Sequence, residues 1–236
     1  MAFRVRRVST TRAGGVSKPP FATFNLGDHV GDDPHAVVAN RRRLATAIGL
    51  DGGIVWMNQV HSANVAVVER GDTTVEATDG LVTTTPGLAL AVVTADCVPV
   101  LMADAREGVV AAVHAGRVGA AAGIVARALE TMTAAGAAVE DVSVLLGPAV
   151  SGRNYEVPEE MAAEVEQALP GSRTTTGRGT AGLDLRAGIA AQLRSLGVQA
   201  IDVDPRCTFD DPTLFSHRRD APTGRLASLI WLEPRQ

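Results

Sequence analysis

The chain has 236 residues, of which 46% are hydrophobic, 20% are charged and 3% are aromatic, and its net charge is −4 at pH 7. This length and composition support a folded protein with a sizeable core and argue against global disorder. The scarcity of aromatic residues and the lack of a basic excess argue against a nucleic-acid partner, whether single-stranded or duplex.

The sequence also carries no sign of export or membrane insertion. The first 17 residues lack a continuous apolar stretch, and no run approaches the roughly 18 apolar residues that a membrane span needs. Two cysteines, Cys97 and Cys207, do not make a disulfide framework. We therefore expect a cytoplasmic protein with free thiols and no membrane partner.

The first predicted elements are a helix and two strands. Residues 32–50 predict a helix for which Asp33 is the candidate N-cap, Pro34 fits the first turn and Gly49 is placed to end it. Residues 53–69 predict two strands joined by the polar sequence NQVHSAN.

The central part of the chain is the most apolar. Residues 88–104 predict one strand, or two strands interrupted near Pro99, and their near-continuous apolar character predicts burial on both faces. Residues 108–116 predict another buried strand, and an Ala-rich helix follows over 119–136.

The C-terminal part continues with short elements. The prediction is, in order, a strand over 142–148, a helix over 157–169, a polar Gly-rich loop over 172–182, a helix over 184–198, a short strand over 199–204 and a last core strand over 226–232. No repeat or linker divides the chain, so we expect one domain over residues 1–236. Because strands outnumber helices without alternating strictly, a mixed α/β layered domain is favoured over a doubly wound sheet.

Two histidines and a cysteine stand at ends or interruptions of predicted strands. His61 follows NQV, Cys97 adjoins Asp96 in the apolar stretch, and His114 closes a strand. If these strands are neighbours, two imidazoles and a thiolate converge, a set that zinc accepts with one position left open. From the residues alone the alternatives stay open, because a buried cysteine also packs as a small hydrophobe.

Several motifs together resemble the YfiH family, described both as multicopper polyphenol oxidases (laccases) and as purine nucleoside phosphorylases. They are FNLGDHVGDDPHAVVANRRRL, NQVHSANV, ADCVPVLMAD, AVHAGRVGAAAGIV, LGPAVSGRNYEV and CTFDDPTLFSHRRDAPTGRLASLIWL. The resemblance covers residues 23–232. It implies an α/β (α+β) single domain built as a four-layer α/β/β/α sandwich with mixed sheets. It also implies a zinc ion bound by His61, Cys97 and His114.

The activity that this resemblance implies is phosphorolysis of adenosine, inosine, guanosine and methylthioadenosine to a base and ribose 1-phosphate. Deamination of adenosine is implied as a second reaction. Purine nucleosides and phosphate are therefore the expected partners of a monomer or weak homodimer. Cys97 and His114 are the expected catalytic residues together with Asp96, which is the nearest carboxylate for acid–base work. The alternative for Asp96 is a structural acid that bonds a neighbouring loop.

Four residues are candidates for binding the substrate. Arg41 is the first choice for phosphate, because arginine binds phosphate in a bidentate manner, and its alternative is an exposed helix face. Asn58 and Gln59 either bond the substrate or close a turn. Arg117 stands one position before the arginine of the family motif and replaces its tryptophan, so it either reaches the same space or does not bind the anion at all.

Three other functions stay open. A thiol hydrolase or amidase acting on a peptidoglycan precursor would use Cys97 as nucleophile with His114 or His61 as base. A copper-dependent polyphenol oxidase is disfavoured, because five histidines are too few for a blue-copper site and a trinuclear cluster, although copper is an alternative metal for the predicted zinc site. The third is a non-catalytic metal-binding protein.

Overall fold

Two mixed β-sheets form the centre of the protein, and the computed structural model describes residues 2–50, 53–71 and 74–233. The strands are β1 (Val5–Ser9), β2 (Ile54–Met57), β3 (Val65–Val67), β4 (Thr74–Val75), β5 (Gly80–Thr83), β6 (Ala89–Thr94), β7 (Val98–Asp104), β8 (Val109–Ala115), β9 (Val142–Leu146), β10 (Arg173–Thr175), β11 (Ala181–Leu183), β12 (Ala200–Val203) and β13 (Leu226–Leu232). The helices are α1 (Pro34–Ile48), α2 (Arg117–Ala121), α3 (Ile124–Ala134), α4 (Glu159–Ala168), α5 (Leu185–Ser195) and α6 (His217–Asp220).

The strand order is β1-β13-β6-β2-β4 in a five-stranded sheet and β12-β9-β7-β8-β5-β3 in a six-stranded sheet. Each sheet contains both parallel and antiparallel pairs, for example β2 parallel to β6 and β13 antiparallel to it. Strands β6 and β7, consecutive in the chain, belong to different sheets. The short connection between them therefore crosses from one sheet to the other.

The sheets pack face to face, and helices cover their outer faces. Leu90 of β6, Leu101 of β7 and Ile230 of β13 share the apolar cluster between the sheets. Helix α1 places Leu44 against the outer face of the five-stranded sheet, while α3, α4 and α5 pack on the six-stranded sheet. The layer order is α/β/β/α, which confirms the predicted fold class.

Strand β8 shows why the sequence builds these layers. Its residues 109, 111 and 113 belong to the cluster under the helices, and residues 110 and 112 belong to the cluster between the sheets. Because side chains alternate along a strand, an apolar residue is needed at every position of a strand buried on both faces. The continuous apolar character of residues 108–116 reflects this double burial.

The predicted caps of the first helix are confirmed, and a second helix has a similar N-terminal cap. The Asp33 carboxylate accepts the backbone N–H of His35 at the start of α1, and Gly49 ends the helix with φ +65°. The Asp184 carboxylate accepts the backbone N–H of Ala187 at the start of α5.

Within the described residues, no helix has both the length and the apolar character needed to cross a membrane.

Two predicted elements are interrupted, and the reason is a left-handed backbone in each. The apolar stretch 88–104 breaks at residues 95–97 rather than at Pro99, which lies inside β7, because Asp96 has φ +93°. The Ala-rich segment 119–136 is two helices, since Gly123 with φ +81° separates α2 from α3. Neither conformation can continue a regular strand or helix.

The polar stretch 172–182 is not a plain loop. Its ends pair as the antiparallel strands β10 and β11, with Thr175 opposite Ala181. Threonine is β-branched and favours strands, which explains this outcome. Strands β1, β4 and β5 and helix α6 are absent from the sequence prediction.

Candidate metal centre and pocket

The side chains of His61, Cys97 and His114 meet although they come from three places in the fold. His61 follows β2, Cys97 lies in the connection between β6 and β7, and His114 lies in β8. Their ligand atoms all lie within 4.8 Å of one another, and Cys97 Sγ is 3.9 Å from His61 Nε2. Two donors on one tetrahedral zinc stand about 3.3–3.7 Å apart, so small side-chain shifts bring this set to coordination distance. The group therefore has the donors and the spacing to hold a metal ion.

The buried carboxylate of Asp79 fixes both histidines. It is fully buried, and its Oδ1 lies 2.8 Å from Nδ1 of His114 and accepts the backbone N–H of His61 at 3.0 Å. Its Oδ2 accepts the backbone N–H and the hydroxyl of Ser62, each at 2.7 Å. A carboxylate on Nδ1 holds the proton there and leaves Nε2 for a metal.

Asp79 is absent from the sequence prediction. The one sequence feature that could have identified it is its position directly before the apolar strand β5, and an acid at that position is equally typical of a turn. Burial raises the pKa of Asp79, but hydrogen bonds from His114 and Ser62 outweigh burial and lower it to about 2. The side chain is therefore an anion at neutral pH.

The backbone around the group is unusual. His61 has φ +60°, a left-handed conformation that costs a non-glycine residue about 1–3 kcal/mol, and its N–H bond to Asp79 helps to hold it. A Cβ on Gly116 would stand 2.7 Å from Cδ2 of His61 and 3.1 Å from Sγ of Cys97. Because glycine has no Cβ, this position leaves enough space for the three side chains to meet.

The electrostatics of the group favour a thiolate. Burial raises the pKa of Cys97, but hydrogen bonding and charge from His114 and His61 outweigh burial and lower the pKa to about 6. Burial lowers the pKa of His114, whereas its contacts with Asp79 and Cys97 raise it to about 9. The thiolate is the form of cysteine that binds metals and that acts as a nucleophile.

A pocket of about 290 Å³ opens onto this group. The lining residues are His29, Gln59, His61, Val93, Thr94, Ala95, Asp96, Cys97, His114, Arg117, Val150, Tyr155, Leu185, His217, Arg218 and Arg225. Three of them are arginines, and the guanidinium of Arg218 lies 5.1 Å from the centre of the Tyr155 ring. Arginine presents a planar fork of donors that suits phosphate and carboxylate, so the pocket can hold an anion beside the three ligand side chains.

Among the predicted substrate-binding residues, two line the pocket. Arg117 begins α2 and lines the pocket. Gln59 also lines the pocket, but its amide is engaged with the backbone of Val93, donating to the carbonyl and accepting from the N–H at 2.8 Å each. Asn58 points elsewhere and donates to Glu76 in an exposed position.

Arg41 lies outside the pocket-lining residues, which differs from its expected phosphate role. Its Nη2 is 3.2 Å from Asp28, its Nε donates to the carbonyl of Leu26, and its guanidinium lies 4.0 Å from the centre of the Trp56 ring. Arg225, which lines the pocket, is absent from the sequence prediction because a single arginine in a loop carries no recognisable pattern.

Asp96 lines the pocket with both carboxylate oxygens engaged. Oδ1 accepts the hydroxyl of Thr208 and Oδ2 accepts the backbone N–H of Arg218, each at 2.6 Å. This differs from the expected acid–base role and matches the alternative of a structural acid that bonds a neighbouring loop. Asp96 thereby holds the segment that carries Arg218 against the pocket.

Comparison with known proteins places this chain in a family. A family model described as multi-copper polyphenol oxidoreductase laccase matches residues 6–233. The solved structure of Bacillus licheniformis YfiH is 32% identical, with a TM-score of 0.88 over 97% of this chain and 93% of that one. The chain belongs to the YfiH family. Geobacillus stearothermophilus YlmD shares the YfiH fold at 36% identity, with a TM-score of 0.90 over 97% of this chain and 92% of its own.

Two relatives of this YfiH-family chain carry the name of an enzyme. A Mycobacterium tuberculosis protein named purine nucleoside phosphorylase is 73% identical over 99% of this chain and 94% of its own length. A Corynebacterium glutamicum protein of the same name is 58% identical over 97% of this chain and 94% of its own length.

Proposed function

We propose that this chain is a zinc-dependent purine nucleoside phosphorylase. The observation that carries the proposal is a His/Cys/His group opening into a pocket with three arginines, which brings metal-binding and anion-binding side chains together. The names of the Mycobacterium and Corynebacterium relatives support the same reaction.

The residues fit the proposed metal. His61, Cys97 and His114 would hold it through two nitrogens and a sulfur. Asp79 keeps a proton on Nδ1 of His114, so Nε2 is the nitrogen that would lose its proton to the metal. When bound, zinc supplies a Lewis acid at the floor of the pocket. Copper would compete for the same ligands, because it binds nitrogen and sulfur sites more tightly than zinc does.

The arginines would bind and orient phosphate. Two of them are fixed by backbone carbonyls: Arg225 donates to those of Thr223 and Gly224, and Arg218 donates to that of Glu156. In phosphorolysis a phosphate oxygen forms a bond to C1′ of the ribose while the C1′–N9 bond breaks and its electron pair leaves with the purine. Guanidiniums held in place align the phosphate for this attack and offset its charge.

Product analysis of inosine incubated with the protein tests the proposal. We expect hypoxanthine and ribose 1-phosphate only when phosphate is present, loss of both products after chelation, and recovery with zinc. Cys97→Ala should lose the activity. Cys207→Ala is the matched control, since Cys207 lies outside the pocket and accepts hydrogen bonds from Ser151 and Asn154.

Two outcomes would contradict the phosphorylase. One is release of hypoxanthine at the same rate without phosphate, and the other is full activity in Cys97→Ala. The same assay run with adenosine tests for deamination, the second reaction that the family resemblance implies. Deamination yields inosine and needs no phosphate.

A thiol hydrolase is the second candidate, and the lowered pKa of Cys97 beside His114 favours it. Cys97 would attack a carbonyl carbon of a peptidoglycan precursor, with His114 delivering a proton to the leaving amine. Chelation separates the candidates, because a thiol nucleophile keeps its activity in a chelator and loses it to an alkylating reagent.

A laccase reaction has less support from the structure. Within the described part of the chain, His61, Cys97 and His114 make up the single group of three or more metal-ligating side chains. A multicopper oxidase needs a blue-copper site and a trinuclear cluster. A copper-loaded sample of this protein would therefore hold its copper at the site proposed here for zinc.

A further inference from the structure

A series of contacts leads from helix α1 to the pocket and ends at His29. This histidine belongs neither to the candidate metal group nor to the three arginines proposed to bind phosphate. His29 lines the pocket, and its Nδ1 lies 3.5 Å from Oδ1 of Asp28. The other oxygen of Asp28 lies 3.2 Å from Nη2 of Arg41, whose guanidinium is stacked on Trp56. The His29 and Asp28 side chains are about half exposed, at 51% and 54%, and Arg41 at 19% is the most buried side chain of these three.

The carboxylate of Asp28 determines which ring nitrogen of His29 is free to accept a hydrogen bond. The contact with His29 is the main cause that lowers the pKa of Asp28 to about 2, and the charge of Arg41 adds to it. A carboxylate facing Nδ1 keeps the proton of a neutral imidazole on that nitrogen. Nε2 then carries a lone pair, and it has no hydrogen-bond partner among the residues that the structure describes.

The loop that carries His29 is built around Asn25, which is fully buried. Its amide donates to the carbonyl of Gly27 and to the carboxylate of Asp32, and its carbonyl accepts the backbone N–H groups of Gly27 and Arg225. Asn25 therefore joins the His29 loop to the backbone of a pocket arginine. His29 and Arg225 are held in a common frame.

We propose that His29 is a substrate-binding residue whose Nε2 accepts a hydrogen bond from the nucleoside, with Asp28 and Arg41 as its positioning residues. The inference rests on the proposed phosphorylase function. An acceptor backed by a carboxylate repels phosphate, so His29 contacts a donor of the nucleoside, either a ribose hydroxyl or an N–H of the purine. Arg41 then acts through Asp28 and not on phosphate.

Binding of inosine in the absence of phosphate, measured by calorimetry, tests this role without turnover. We expect His29→Ala to bind inosine about tenfold more weakly, the loss of one hydrogen bond in the pocket. His29→Gln keeps an acceptor at the position of Nε2 and should stay within about threefold of wild type, whereas His29→Asn should bind as weakly as the alanine variant. His35→Ala is the control, because His35 is exposed and lies outside the pocket-lining residues.

The 5′-deoxy analogue of inosine identifies the donor. If the 5′-hydroxyl is the donor, wild type binds the analogue about tenfold more weakly than inosine, and His29→Ala does not discriminate. If the donor lies elsewhere on the nucleoside, His29→Ala weakens both ligands equally. Asp28→Asn should raise KM about fivefold with little change in kcat, since it disturbs the orientation of His29 and not the reacting atoms.

The possible failures are distinct. If wild type binds inosine and His29→Ala or His29→Asn binds it equally well, the role of His29 is wrong while the phosphorylase proposal stands. If wild type binds no nucleoside, both fall. Melting temperatures of the three His29 variants within a few degrees of wild type establish that the fold is retained in each comparison.

Discussion

Asp79 positions two of the three candidate metal ligands through one carboxylate. It contacts the ring of His114 and the backbone N–H of His61, and both contacts lie in a part of the molecule where the acid is fully buried. A buried anion is stable only when several donors satisfy it, and here the hydroxyl and N–H of Ser62 and the N–H of Val60 complete the set. The geometry of the metal group is therefore controlled by a residue that does not belong to it.

Asp79→Asn should weaken metal binding about 10- to 100-fold, the usual effect of removing a carboxylate behind a ligating histidine. A neutral amide no longer dictates which nitrogen of His114 carries the proton. Competition with a chromogenic chelator measures the affinity. Asp104→Asn is the control, because Asp104 is equally buried but accepts the backbone N–H groups of Arg106, Glu107 and Ala138. Equal metal affinities of the two variants would contradict the role of Asp79.

The connection between β6 and β7 carries Asp96 and Cys97 across the gap between the two sheets. The apolar pattern of residues 88–104 predicts strand structure but does not locate the break. The break depends on the left-handed conformation of Asp96 and on its bonds to Thr208 and Arg218, which are more than 100 positions away. Local patterns contain no information on partners so distant in the sequence.

The junction between β8 and α2 requires glycine at position 116, because a larger residue would enter the space of the candidate metal ligands. Gly116→Ala should abolish or strongly weaken metal binding while the protein still folds, because the new methyl group would occupy the space of His61 and Cys97. Gly147→Ala is a matched control, since its Cβ would stand equally close, at 2.7 Å, to Pro99 and not to a ligand. Metal content of both purified variants decides the matter, and a fully loaded Gly116→Ala protein would refute the requirement.

The fold of the whole molecule follows from the sequence more directly than the site does. Continuous apolar strands and amphipathic helices predict sheets with covered faces, and the α/β/β/α layers are found. The candidate ligands could be named because His61, Cys97 and His114 stand at ends or interruptions of apolar strands. Asp79, Arg225 and His29 could not be assigned, since their roles depend on which strands and loops become neighbours. The monomer or weak homodimer stays a prediction.

Metal binding should stabilise the whole molecule. An ion that binds the folded chain alone stabilises it by about 2.7 kcal/mol when its free concentration is 100 times its dissociation constant. Calorimetric melting temperatures of wild type should therefore rise with added zinc, and those of His114→Ala should not. Parallel increases in both proteins would show that the stabilising ion binds elsewhere.

The distribution of the ligands along the chain bears on how the protein matures. One candidate ligand follows β2 of the five-stranded sheet, one lies between the sheets and one belongs to β8 of the six-stranded sheet. Cys97 directly precedes β7 and His114 lies in its antiparallel partner β8, so the β7–β8 hairpin brings these two together, but His61 comes from outside that hairpin. In a zinc finger, by contrast, one short segment supplies the complete set of ligands. A nascent chain must bring its two sheets together before three donors face one point. The ion would be loaded into a finished protein, and a cell lacking the metal would accumulate folded apoprotein instead of unfolded chains.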